Sequence, residues 1–481
     1  MGEPRDRIDD WLNRDVEPLA PPPGTFGRIQ QRARRRKLNR AVMSAAGIVV
    51  VIVIAVAVTV PQIASSLRSH GSSPGRPVAE GSHPVQVRPT VSGKGGVSPN
   101  SQSSSAVTPP GSALSPAGSG NPVPANFQPT SVTFVGPTIG AVIGQAGTPG
   151  HCATPYCTSL AGTSDYGSSW YGVSAPLTGA PDGSSGVGQV RFLNTTYGWA
   201  FGPELWATTN GGATWTRQRT DGMRVTDLET VGNRAFALFG TCTGNGAAYA
   251  ADCTAFSLYT SLAGSGRWQR VPGPVSDLHS SQATGGASAS LVLTGGPANG
   301  RGYLLAPSGT LLSGPLTGAA WSVVSQQQQC LPGSPDPNGQ PTGALLAADS
   351  AALLLVCTSA TDPTTGSQTK SVIESSDDGK TWSAAQSADV NGIAASVAIQ
   401  GSSLVVLATG AGLYVSANGG GTWQLAQASP ASAAAGEGGF SYVGMTSASD
   451  GVALPADAGL HEVFITTDSG RTWRAHAVSP A

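Results

Sequence analysis

The sequence predicts an all-β protein: a seven-bladed β-propeller preceded by one N-terminal transmembrane helix and a disordered linker. Three observations lead there. Residues 41–60 form an uncharged apolar run behind a basic head. A long stretch dominated by Ser, Gly and Pro comes next. The remaining residues, about 350 of them, carry seven regularly recurring tryptophans, five of which close the same eight-residue motif.

The first element is a short cytoplasmic tail, residues 1–40, with ten Lys/Arg against six Asp/Glu, a net of +4. The rest of the chain carries sixteen against twenty-one, a net of -5, so the basic character is local. A nucleic-acid-binding face on the large domain is therefore not expected. Ile8, Trp11, Leu12 and Leu19 line part of one face of a short helix at most, because Pro18 and Pro21 to Pro23 end it. The Arg/Lys run before residue 41 can rest on anionic headgroups.

The second element is the membrane span, residues 41–62. The run AVMSAAGIVVVIVIAVAVTV is apolar on every helical face, and twenty residues of helix rise roughly 30 Å, the thickness of a bilayer core. Arg32, Arg34, Arg35, Arg36, Lys37 and Arg40 precede it, whereas only Arg68 and Arg76 follow soon after. Positive charge stays inside, so the N-terminus is cytoplasmic and everything beyond the span lies outside the cell. The competing reading is a cleaved signal peptide. The long leader and long apolar core argue against it, although Ile63-Ala64-Ser65 weakly mimics a cleavage site.

The third element, residues 63–128, reads as a flexible linker. Its Ser, Gly, Pro, Val and Ala supply too little large apolar surface to offset chain entropy. A coil of this kind spans roughly 40–50 Å and lifts the next domain clear of the membrane.

The fourth element, residues 129–481, is the propeller. The octet appears as Thr163-x-Asp165-x-Gly167-x-Ser169-Trp170 and as Thr208-x-Asn210-x-Gly212-x-Thr214-Trp215. It returns as Ser375-x-Asp377-x-Gly379-x-Thr381-Trp382, Ser416-x-Asn418-x-Gly420-x-Thr422-Trp423 and Thr466-x-Asp468-x-Gly470-x-Thr472-Trp473. Asp or Asn can bond the N–H groups of its own turn, and Gly supplies positive φ. The following Trp opens the next strand with a ring large enough to pack between neighbouring elements. Trp268 and Trp321 keep the period where the octet has decayed, which makes the mean spacing about 50 residues, the length of a propeller blade. Seven four-stranded blades close a ring with short edges. Six or eight are the alternatives, because blades 3 and 4 rest on degenerate markers.

The octet resembles the Asp-box, or BNR, repeat. Val190-x-Phe192 followed by Gly198-Trp199-Ala200-x-Gly202 and the octet of blade 2 is similar to the photosystem II assembly-factor, sortilin and sialidase branches of that superfamily. The resemblance implies that the octet carboxylates are structural rather than catalytic. It also implies that the octets occupy the turn between strands three and four, with the 2–3 and 4–1 loops on the opposite face.

All six cysteines lie beyond the span, which fits an oxidising compartment. Six cysteines allow fifteen pairings, of which nearest-neighbour pairing is simplest: Cys152–Cys157, Cys242–Cys253 and Cys330–Cys357. No Cys-x-x-Cys or Cys/His cluster suggests a metal, and no cofactor is expected. The long insertions 241–254, 325–342 and 358–370 share one face with several of these cysteines, which makes that face the expected binding surface.

Sialidases with this repeat use an arginine triad, an Asp acid/base and a Tyr/Glu nucleophilic pair, with the first arginine in an F/Y-R-I-P motif. The only Arg-Ile here, Arg28-Ile29, is cytoplasmic. Glu204, Glu229, Asp349 and Asp450 lie near predicted strands, but a hydrolase needs two carboxylates about 5–10 Å apart. The expectation is a monomeric, non-enzymatic module binding a protein, peptide or envelope glycan. The alternative is a divergent sialidase-like glycoside hydrolase, betrayed by an arginine cluster with paired carboxylates at the channel mouth.

Overall fold

The computed structural model describes Leu114 and residues 121–479, apart from 147–157, 182–184, 243–252, 277, 280–288, 296–299, 307, 327–342, 351, 360, 362–367 and 432–437. The expected tail and membrane span lie outside the described residues, as does most of the linker. No helix among the described residues is long and apolar enough to cross a membrane.

Seven antiparallel sheets follow one another along the chain, each built from consecutive strands, and they make a seven-bladed propeller. Blade 1 runs through Gln128–Phe134, Gly140–Gln145, Thr158–Thr163 and Tyr171–Val173. Blade 2 is Gln189–Phe192, Gly198–Phe201, Leu205–Thr208 and Thr216–Arg217. Blade 3 is Arg224–Val231, Arg234–Cys242, Cys253–Leu262 and Gln269–Arg270, with the short strand Leu278–His279 added to its third strand. Blade 4 is Ser290–Thr294, Arg301–Leu305, Thr310–Pro315 and Ser322–Gln326. Blade 5 is Gly343–Ala348, Leu353–Thr358, Lys370–Ser375 and Gln386–Ser387. Blade 6 is Ala394–Gln400, Leu404–Thr409, Gly412–Ser416 and Gln424–Ala428. Blade 7 is Phe440–Met445, Gly451–Pro455, Glu462–Thr466 and Arg474–Ala477.

Polarity follows position in the blade. Second strands are covered on both faces by neighbouring blades, so they read as continuous apolar runs, as in Leu353-Leu354-Leu355-Val356. Alternate residues of such a strand serve opposite joints, because side chains of a pleated strand alternate. Val405 and Leu407 pack toward blade 5, while Val406 and Ala408 pack toward blade 7. Fourth strands form the rim. Thr216–Arg217 and Arg474–Ala477 are accordingly polar and largely exposed.

First strands have no strand partner on their axial side, so their backbone groups need side chains. Thr133 Oγ1 accepts from Phe192 N–H at 3.3 Å, joining blades 1 and 2. Asp227 Oδ2 accepts from Leu291 N–H at 2.9 Å, joining blades 3 and 4. Ser396 Oγ accepts from Val443 N–H at 3.3 Å, joining blades 6 and 7.

The joint between blades 7 and 1 lacks chain continuity and is filled from both termini of the propeller. Val123, Phe127 and Val478 are buried there with Trp170, Tyr442 and Ile465. His461 Nδ1 lies 2.8 Å from Phe127 O. Residues 121–127 fall on the linker side of the boundary drawn at 128/129, yet Val123 and Phe127 are core and Asn121 bridges to Gly172. Leu114 also packs with blades 1 and 2. Low average apolarity hid three isolated side chains that find a prebuilt surface.

Candidate functional site

The five octets adopt one turn. The leading Ser or Thr hydroxyl accepts from the glycine N–H at 2.9, 2.9, 2.8, 2.9 and 3.0 Å in blades 1, 2, 5, 6 and 7. It donates to the Asp or Asn oxygen, which in turn accepts from the N–H four residues on. Asn418 and Asp468 repeat the pattern in blades 6 and 7. The carboxylates are thus occupied in holding their own corners. The Thr381 bonds depress the Asp377 carboxyl to about 2. Burial pushes Asp165 and Asp468 upward, but bonds to Ser169 and Thr472 outweigh it and hold both low.

Two features of the octet escape a sequence reading. The residue before each glycine is also left-handed, including the non-glycines Tyr166, Asp378 and Ser469, with φ of 60°, 63° and 65°. Each glycine also abuts the preceding blade. A Cβ on Gly167 would meet Ile465 at 2.7 Å, on Gly212 Val173 at 2.8 Å, and on Gly379 Leu311 at 2.6 Å. Gly420 and Gly470 approach Val372 and Val406 at 3.1 Å in the same way. The tryptophans complete the joint. Trp215, Trp382, Trp423 and Trp473 each pack in a cluster shared with the preceding blade, and so do Trp170, Trp268 and Trp321.

Cys242 and Cys253 form a disulfide across the ends of the second and third strands of blade 3. Cys357 is disulfide-bonded at the end of a second strand. Cys152, Cys157 and Cys330 lie outside the described residues, as do most of the three long insertions. No group of three or more His, Cys, Asp or Glu side chains among the described residues could hold a metal ion.

The structure separates the four carboxylates singled out in the sequence. Asp349 Oδ1 accepts from Ala352 N–H at 3.0 Å, and Asp450 Oδ2 accepts from Ser447 Oγ–H at 2.5 Å, so both cap turns. Glu229 is buried in the inner strand of blade 3 and pairs with the fully buried Arg191 at 3.3 Å. Burial pushes the neighbouring Asp227 up to about 7, partly countered by the Leu291 N–H and by Arg191. Burial likewise raises the Tyr442 phenol, which feels both Arg191 and Glu229. An arginine, two carboxylates and a tyrosine therefore gather on the inner strands, but closed off from solvent rather than at an open mouth.

Glu204 belongs to a different setting. Its carboxylate is buried at the flank of blade 2, where it accepts from Thr178 Oγ1–H at 2.7 Å and Trp206 Nε1–H at 2.9 Å. It also holds Arg217 at 3.0 Å, and Arg217 is 62% exposed. Arg217 edges a half-open cleft of ≈ 580 Å³ between blades 2 and 3. Tyr259 and Trp268, both half-buried, form the floor with Phe239 beneath them; ring centroids lie 4.5 and 5.6 Å from Phe239. The opposite wall is the 4–1 connection Gln218 to Met223. This connection turns sharply at Asp221 and Gly222, with φ of 49° and 80°, closed by Met223 N–H to Thr220 O at 2.9 Å. The sequence reading missed the cleft because its two walls are about 40 residues apart on different blades. A smaller polar cavity of ≈ 220 Å³ lies between blades 4 and 5, where Asp378 accepts from Tyr303 at 2.6 Å and pairs with Arg301.

Fold and site together define an all-β propeller with octet turns on one face and an aromatic, arginine-edged cleft on its flank. No protein-family model matches the chain, and no curated protein matches it. Among solved structures it is similar to YCF48 bound to a D1 peptide, at 18% identity and a TM-score of 0.43 over 73% of this chain and 93% of that one. It is similar to YCF48 from Cyanidioschyzon merolae at 15% identity, with a TM-score of 0.41, covering 72% and 97%. It also resembles an ancestral GH74 enzyme at 16% identity, with a TM-score of 0.44, but spans only 47% of that protein. The propeller assignment rests on the seven sheets themselves.

Proposed function

We propose that this chain is a membrane-anchored, extracytoplasmic binding module without enzymatic activity, taking a protein, peptide or envelope glycan on its loop side and flank. The cleft between blades 2 and 3 carries the reading. It joins apolar rings to a few fixed polar groups, the usual make-up of a recognition site. Behind it the buried Glu204 bonds Thr178 and Trp206 through one oxygen and Arg217 through the other, and so positions an arginine at the cleft edge. The placement outside the cell rests on the charge asymmetry about residues 41–62.

Screening the full-length chain against glycan and peptide arrays tests the binding reading. Binding lost on Trp268→Ala is the expected result; turnover of fluorogenic glycosides would overturn the non-enzymatic part. An impermeant label that fails to reach the propeller in intact cells would overturn the orientation. The glycoside hydrolase alternative draws on one observation, the grouping of Arg191, Asp227, Glu229 and Tyr442. Its burial favours a structural role.

A further inference from the structure

We infer that the flank cleft binds an acidic polysaccharide, a chain of pyranose rings bearing carboxylates. This inference rests on the reading of the chain as a binding module and names the ligand class. Three features of the cleft point to it.

The floor is aromatic. Tyr259 and Trp268 show part of their rings to the cleft, stiffened from below by Phe239. Flat, rigid rings of this kind match the C–H faces of pyranoses and lose little entropy on contact. The rim is lined with hydroxyl, amide and carboxylate side chains, Thr216, Gln218, Thr220 and Asp221, which can exchange hydrogen bonds with sugar hydroxyls.

The third feature is charge. Arg219 is exposed and makes no hydrogen bond or ion pair among the described residues. Arg217 is anchored from one side by Glu204 Oε1, while Glu204 Oε2 accepts from Thr178 and Trp206. The lining sets Arg217 and Arg219 against Asp221, two positive charges against one negative, and the preorganised Arg217 with the exposed Arg219 suits carboxylates on the ligand.

A peptide fits less well. A peptide added as a strand needs a long free edge, and an amphipathic helix needs a groove of aliphatic pockets. The outermost strand of blade 2, Thr216–Arg217, pairs only inward with Leu205–Thr208 and is two residues long, so it offers a peptide strand little edge to extend; Gln218 N–H adds one more inward bond, to Leu205 O at 2.7 Å. Met223 is the one aliphatic side chain lining the cleft. At ≈ 580 Å³ the cleft falls within the range of about 300–1,000 Å³ common for small-ligand sites, room for a short stretch of a sugar chain.

The test is calorimetric titration of the full-length chain with tetragalacturonate, its methyl ester, neutral cellotetraose and an Asp/Tyr-rich peptide. Tetragalacturonate should bind, and raising the ionic strength should weaken it. Arg219→Gln should cost on the order of tenfold in affinity for the acid and leave the ester unaffected. Trp268→Ala should remove binding of the acid and of any neutral sugar that binds. Because Arg219 is exposed and has no partner among the described residues, its variant should melt like the parent, which keeps the comparison clean if Trp268→Ala misfolds. Equal affinity for acid and ester overturns the inference. Preferential peptide binding lost on the same substitutions overturns it too, while leaving the binding-module reading standing. If none of the probes binds, the inference fails; if the arrays are also blank, the broader reading fails with it.

Discussion

Removing the charge of Asp227 should stabilise the propeller at neutral and alkaline pH and do nothing in acid. Asp227 is buried on the inner strand of blade 3, where burial pushes its carboxyl from 3.8 up to about 7. The folded value exceeds the unfolded one, so the stability it contributes is full below the unfolded value and vanishes as pH rises through the folded one. The whole shift corresponds to about 4 kcal/mol, of which about 3 kcal/mol falls between about pH 5 and about pH 8. Asn at this position keeps an oxygen that can accept the Leu291 N–H bond. Arg191 is not orphaned, because Glu229 stays at 3.3 Å. Urea unfolding of the parent and of Asp227→Asn at the two pH values checks this. The variant's advantage should grow by about 3 kcal/mol from the acid to the alkaline condition, with other titrations cancelling in the difference. An advantage that does not change with pH, or a variant that is weaker in alkali, would refute the reasoning and mean that Arg191 keeps Asp227 ionised.

Two further substitutions probe the joints between blades. Phe127→Ala empties the seam between blades 7 and 1, where Phe127 is 1% exposed, and should cost roughly 3–5 kcal/mol, read as a lowered denaturation midpoint. An effect as small as that of an exposed residue would place the start of the propeller after residue 127. Gly379→Ala combines φ of +83° with a Cβ 2.6 Å from Leu311 and should cost roughly 2–4 kcal/mol. Gly401→Ala has similar backbone strain, φ +62°, but open space around the Cβ, so it should cost only about 1 kcal/mol. Equal costs at the two glycines would show that approach to the preceding blade contributes nothing.

The octets were legible because their chemistry is local. Hydroxyl, carboxyl or amide, and glycine within eight residues close a turn through bonds spanning two to four positions, so a short window holds the whole cause. The spacing of Trp170, Trp215, Trp268, Trp321, Trp382, Trp423 and Trp473 then carried the blade count, because one such tryptophan precedes the fourth strand of each unit even where the corner itself has decayed. The second strands announced themselves by apolar runs, as in Leu404 to Ala408, since burial on both faces removes the alternation of an exposed sheet.

What only the tertiary structure decided lies between blades. That Gly379 must be bare against Leu311 depends on a residue from another sheet, and so does the burial of Val123 and Phe127 beside Val478. Arg191 and Glu229 are about 40 residues apart in the chain and meet only because two inner strands converge on the axis. The cleft arises where the short outer strand of blade 2 leaves the rings of Tyr259 and Trp268 facing Arg217 and Arg219. A repeat writes its own corners into the sequence, because each corner is bonded within itself. Which side chains face one another across the gaps is set by ring closure, which brings together residues that no local window contains.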